Sequence, residues 1–203
     1  MSEYRRGIKV LTEKNFLEPD RTSMRFSPRG LGAPVKATKA EIENRVKSVL
    51  EIGLKETTPP QICNLFDVAK GAMVYGIFFY PLYTLGMEQL TRVFEAAVSH
   101  KVGEINPRLS NMNLRPKVEW LIKRKLLPGP VPERWIALSE LRNAFSHPRD
   151  QTLVGPPDAR RMLRDLKAVI DHLFSLGYSD SGLGSPHKRD SDSLRRSRSE
   201  CPK

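Results

Sequence analysis

The chain has 203 residues, 39% of them hydrophobic and 28% charged, so it can bury one sizeable core and is neither fibrous, collagenous nor fully disordered. Its 34 Lys and Arg against 23 Asp and Glu give a formal charge of +11, which points to an anionic partner such as RNA or DNA, or to a basic solvated surface. Cys63 and Cys201 are too few for a disulfide scaffold or a thiolate metal cage, and no basic stretch leads into an apolar export signal, so the expected address is cytoplasmic.

Residues 1–36 are rich in Arg, Pro, Gly and Ser and read as an irregular N-terminal arm, in which only Gly7–Leu11 suits a short strand. Thr38 with Glu41 three positions on is a capping-box signature. Ile42, Val46, Val49 and Leu50 then share one stripe, so a helix is expected over about 39–55. Thr58-Pro59-Pro60-Gln61 repeats that logic, with Thr58 as N-cap and proline at the first helical position. The helical pattern then continues to about Val102, which is about 60 Å of helix, so a kink or break is expected near Pro81. Gly71–Met87 carries no charge, but it is interrupted by Pro81 and falls short of the roughly 20 apolar residues of a membrane span. It reads as a buried core or interface helix.

A loop is expected over 103–114, and Pro116 then opens a short helix carrying Val118, Leu121 and Ile122. After the turn Leu127–Pro132, a helix places Trp135, Leu138, Leu141 and Phe145 on its apolar side and stops at His147, because Pro148 follows. Pro156-Pro157 start a final helix with Met162, Leu166, Val169, Ile170 and Leu173 inward, ended by Gly177. Residues 178–203 form a basic Ser/Arg tail without apolar anchors, which reads as disordered. The expected fold is all-α: about five helices over 37–177, with a kinked long second helix.

Chemistry concentrates in Leu141-Arg142-Asn143-Ala144-Phe145-Ser146-His147-Pro148. His147 has a near-neutral reference pKa and can exchange a proton at physiological pH, while Arg142 offers a planar fork of donors to a phosphate. Asn143 and His147, four apart, share a helical stripe, and Asn143 can orient the imidazole. Arg142 and His147, five apart and so about 140° around the helix, do not share that stripe, but Pro148 biases His147 away from α geometry, which could turn its imidazole toward the Arg142 side. His100, His147, His172 and His187 are scattered without metal-ligand spacing, so no metal and no cofactor is expected.

An Arg, a polar residue next to it and a His four to six positions on form the signature of the HEPN superfamily, and Arg142-Asn143 with His147 resembles it residue by residue. The segment from Tyr80 to Ala97 is similar to the long second helix of bacterial HEPN-like proteins of unknown function, with Arg92 and Glu95 as a pair. The resemblance covers roughly 60–176. It implies a metal-independent endoribonuclease in which the RNA 2′-hydroxyl attacks the adjacent phosphate at a composite site of two protomers. Arg142, Asn143 and His147 would be its catalytic residues, with Ser146, Glu88, Arg92 and Glu95 in support. It also implies a homodimer, here through the uncharged run and the motif helix, and leaves room for a partner protein.

Blander readings stand beside these. His147 fits a helix C-terminus on electrostatic grounds alone. Glu88, Arg92 and Glu95 are spaced for a structural ion-pair stripe. Arg160, Arg161 and Arg164 form either a phosphate-contact ridge or a solvated face, and Trp120 and Trp135 read as core or interface residues. The competing class is a non-catalytic HEPN-like module that binds nucleotide or RNA, or dimerises, in a regulatory or toxin- and defence-related system. A DNA-binding helical regulator is disfavoured, because no helix presents a set of base-reading side chains.

Overall fold

A computed structural model of the chain describes residues 4–26 apart from Arg6, residues 38–127 and 154–175, and Ala137 and Glu140. The architecture is all-α. A two-stranded antiparallel hairpin, β1 (Tyr4–Arg5) and β2 (Ile8–Lys9), precedes α1 (Arg21–Met24), α2 (Lys39–Leu50), α3 (Pro60–Tyr75) and α4 (Leu82–Ile105). A 3-10 turn at Pro107–Leu109, then α5 (Leu114–Lys123) and α6 (Pro156–Ser175), complete the described elements.

The capping box of α2 is formed in full. Glu41 N–H donates to Thr38 Oγ1 at 3.3 Å, and Thr38 N–H donates to the Glu41 carboxylate at 2.9 Å. The helix ends at Leu50, short of the expected residue 55, because the chain turns after Glu51 to bury Ile52 in the core. The cap expected at Thr58 falls one residue later. Pro59 is the N-cap, held extended at φ −54°, ψ 137°, as a residue before proline prefers, and Pro60 takes the first helical position. Thr58 Oγ1 is buried without a partner.

The long helical pattern divides into two helices, and the break runs from Gly76, the C-cap of α3, to Pro81, the expected breaking residue and the N-cap of α4. The reason is tertiary. A Cβ on Gly76 would lie 2.7 Å from the Tyr83 ring, so only glycine lets the turn fold back this tightly. Ile77 and Tyr80 are then held by Asp20: Asp20 N–H donates to the Ile77 carbonyl at 2.8 Å, and Tyr80 N–H donates to the Asp20 carboxylate at 3.0 Å. Gly71–Met87 is therefore the turn region of an α3–α4 hairpin, not one core helix. α4 continues to Ile105, past the expected end at Val102, and α5 opens at Leu114 with Pro116 inside its first turn.

Helix α4 is the axis of the core. It packs against α3, α5 and α6, while α2 packs on α3. Ile62, Phe66, Ala69 and Met73 from α3, Leu90, Val93, Phe94 and Val98 from α4, and Leu163, Ile170 and Leu173 from α6 are almost wholly buried. Each large apolar side chain so buried contributes roughly 1.5–3 kcal/mol. On α6 the inward face carries Leu163 where Met162 was expected; Met162 is half-buried at its edge. No helix among the described residues is long and apolar enough to cross a membrane.

The arm is tied down more firmly than its composition implies. Lys9, 3% exposed, donates its ammonium hydrogens to the carbonyls of Asn15 and Glu18, both at 2.6 Å, and to Phe78 at 3.4 Å in the α3–α4 turn. Asp20 caps α1 through Thr22 N–H at 2.8 Å while holding Tyr80. Asp20→Ala removes both contacts and leaves buried N–H groups unpaired, so urea unfolding should show a loss of about 2–4 kcal/mol. Gly86→Ala would place a methyl 2.8 Å from Met73 Cγ and 3.2 Å from the Ala69 carbonyl oxygen. That overpacking should cost about 1–3 kcal/mol in the same measurement.

Candidate functional site

Arg142, Asn143, Ser146 and His147, with Trp135, lie outside the described residues; Ala137 and Glu140, inside the helix expected over 132–147, are helical. Beyond this stretch, Val154 N–H donates to Thr84 Oγ1 at 3.2 Å, which fixes the approach to α6 against the start of α4.

The supporting residues on α4 share one face of the helix. Arg92 is exposed, Glu88 and Glu95 are half-buried, and no described ion pair joins Glu88 to Arg92. At the far end of α4, Glu104 meets His100 Nε2 at 3.2 Å and Lys101 at 3.5 Å. Gln61 Nε2 lies 3.2 Å from the other ring nitrogen of His100. Trp120 is half-buried and packs against the core cluster, with the Arg124 guanidinium stacked over its ring at 4.8 Å. No group of three or more His, Cys, Asp or Glu among the described residues is placed to hold a metal ion.

The three arginines at the start of α6 do not form one ridge. Arg161 and Arg164 are exposed, and Arg161 pairs with Asp158 at 2.9 Å. Arg160 turns inward and donates to Ser48 Oγ on α2 at 3.2 Å. The split is tertiary, because Arg160 and Arg164 are only about 40° apart around the helix, and it is Ser48 on α2 that engages Arg160, across a cavity of about 80 Å³. Phe26, Arg45, Ser48, Tyr83, Pro156 and Arg160 are among its walls.

Arg45 enters the same cavity from α2. One of its terminal nitrogens donates to the Ser23 carbonyl at 2.9 Å, and the other, Nη2, is buried without a hydrogen-bond partner. Arg160 Nε is likewise buried and unpartnered. Ser48 connects the two arginines: its hydroxyl donates to the Arg45 carbonyl at 2.8 Å and accepts from Arg160. Burial pushes the Tyr83 phenol above its ordinary range, while the neighbouring Ser23 hydroxyl and the positive charges of Arg45 and Arg160 pull it down.

Arg45, Ser48 and Tyr83 did not stand out in the sequence. The available signal was positional: Arg45 and Ser48 sit among Ile42, Val46 and Val49 on the face that α2 turns to the rest of the chain. Comparison of the chain with protein-family models, with curated proteins and with solved structures gave no match.

Tyr83 supplies a pH test. A phenol whose folded value is raised holds its proton more tightly in the folded state, so the stability linked to it is complete below the ordinary value of 10.0 and is lost as pH rises through the raised value. Denaturant unfolding between about pH 9 and 11 should therefore show declining stability, and Tyr83→Phe should flatten the decline. Part of it should persist through Tyr80, whose phenol is also raised, mainly by burial.

Proposed function

We propose that this protein is a HEPN-like, metal-independent endoribonuclease working at a composite site of two protomers. The observation that carries this reading is the Arg142-Asn143-x3-His147 spacing, placed immediately before the terminal helix of an all-α chain of net charge +11. The RNA 2′-oxygen attacks the adjacent phosphorus as one His147 accepts the 2′-hydroxyl proton. The bond from phosphorus to the 5′-oxygen breaks, and the second His147 protonates that oxygen. The products are a 2′,3′-cyclic phosphate and a free 5′-hydroxyl. Arg142 stabilises charge developing on the phosphate oxygens, and Asn143 orients the imidazole.

Two surface features support the reading. Arg161 and Arg164 stand exposed on α6 and suit contacts to an RNA backbone. Val68 and Tyr75, seven positions apart on α3, are 60% and 62% exposed, and Leu85 on α4 is 47% exposed. These apolar side chains lie in or beside the uncharged run and suit contact with a second protomer.

Incubation with single-stranded and structured RNA in EDTA should give cleavage with cyclic-phosphate ends. His147→Ala and Arg142→Ala should each lower the rate by at least about 100-fold, within the range that acid–base and charge-stabilising groups contribute. Light scattering after size exclusion should show a dimer, and Val68→Glu with Tyr75→Glu should yield a monomer that no longer cleaves. Equal cleavage by wild type and both motif variants would refute the nuclease reading. No cleavage by wild type would favour the non-catalytic module.

A further inference from the structure

The cavity between α2 and α6 holds two guanidinium groups and no carboxylate among its described lining residues. Its volume of about 80 Å³ is ample for an oxyanion, since about 10–15 Å³ of such space admits one water. Arg45 Nη2 and Arg160 Nε are both buried N–H donors without partners, an arrangement that is costly unless something accepts from them. Asp158, the acidic residue in the first turn of α6, is committed at 2.9 Å to the exposed Arg161. The Ser48 hydroxyl and the Tyr83 phenol add hydrogen-bonding groups to the same walls. The cavity also borders Pro156 and Pro157 at the N-terminus of a 20-residue helix, where the peptide dipoles favour negative charge.

We infer that this cavity is a phosphate-binding site in which Arg45 and Arg160 grip the phosphate group of a phosphomonoester or of free inorganic phosphate. Arginine suits the role because its planar fork can place two donors on one oxyanion, and charge-assisted bonds in a partly buried site are stronger than those at the surface. The bound anion cancels the repulsion between the two guanidinium groups that line the cavity. Phe26 and Tyr83 supply apolar walls beside the polar groups. The site uses none of the residues assigned to RNA cleavage, so it stands or falls independently of that activity.

The test is calorimetric and thermal titration of the full chain with inorganic phosphate at low ionic strength, against chloride at matched ionic strength. Phosphate should bind saturably and raise the melting temperature where chloride does not. Arg160→Met and Arg45→Met should each weaken binding at least tenfold. Lys47→Met, which removes an exposed charge from the same helix, should leave it within twofold. Ser48→Ala keeps both charges and loosens Arg160, so it should weaken binding several-fold even if an arginine variant fails to fold. Tighter binding of adenosine monophosphate than of phosphate, with none of adenosine, would identify a nucleotide as the source; equal affinities would identify free phosphate. The inference is overturned if phosphate acts no differently from chloride, if Lys47→Met weakens binding as much as Arg160→Met, or if Ser48→Ala binds as wild type does.

Discussion

The burial of α4 constrains the rest of the molecule. It is a 24-residue helix, about 36 Å long, and half of its residues are buried. An amphipathic helix needs a partner on one side; one buried this widely needs several, and α3, α5 and α6 supply them. Gly86 allows α3 to approach at the start of α4, where even a methyl group would meet Met73 and the Ala69 carbonyl. The polar residues of α4 that share this burial find local partners. Thr91 donates its hydroxyl hydrogen to the Glu88 carbonyl at 2.7 Å, and Lys101 reaches Glu104 beside the Phe174 ring.

Cationic side chains with buried nitrogens, whether wholly buried like Lys9 and Lys117 or half-buried like Arg45 and Arg160, are treated in two ways among the described residues. Lys9 lies among three carbonyl oxygens, and Lys117 donates to Ser99 Oγ at 3.0 Å, so both are provided for within the chain. Asp171 similarly accepts from Lys167 and from Lys55 N–H. Arg45 and Arg160 are different: each has a buried nitrogen that the chain leaves without an acceptor. Desolvating a charge is expensive, and elsewhere in this fold the expense is offset by internal oxygens. That contrast within one molecule distinguishes the arginine cavity from ordinary packing.

Features governed by neighbouring residues were legible in the sequence, and those governed by distant ones were not. The Thr38–Glu41 capping box spans three residues and formed as read, and the start of the last helix at Pro156 was equally visible. The α3–α4 break was expected at Pro81, the residue that forbids a helical hydrogen bond. It extends back from Pro81 to Gly76, and Asp20 and Lys9, some 60 to 70 positions away, hold the turn between them in place. The inward turn of Arg160 was hidden for the same reason. Three arginines within five positions look alike along the chain, and only the placement of Ser48 across the cavity separates one from the others. The Arg142–His147 motif remains a reading of spacing and side-chain chemistry.

The Lys9 contacts have a consequence for how the chain tolerates substitution. All three acceptors are main-chain oxygens, which every amino acid supplies. Variation at Asn15, Glu18 or Phe78 therefore leaves those acceptors in place, whereas no residue other than lysine gathers three donors on one atom at the end of a flexible stem, arginine's being spread over a planar fork. The tether would register in mutational scanning as one intolerant position with no co-varying partner, and methods that infer proximity from paired changes would miss it.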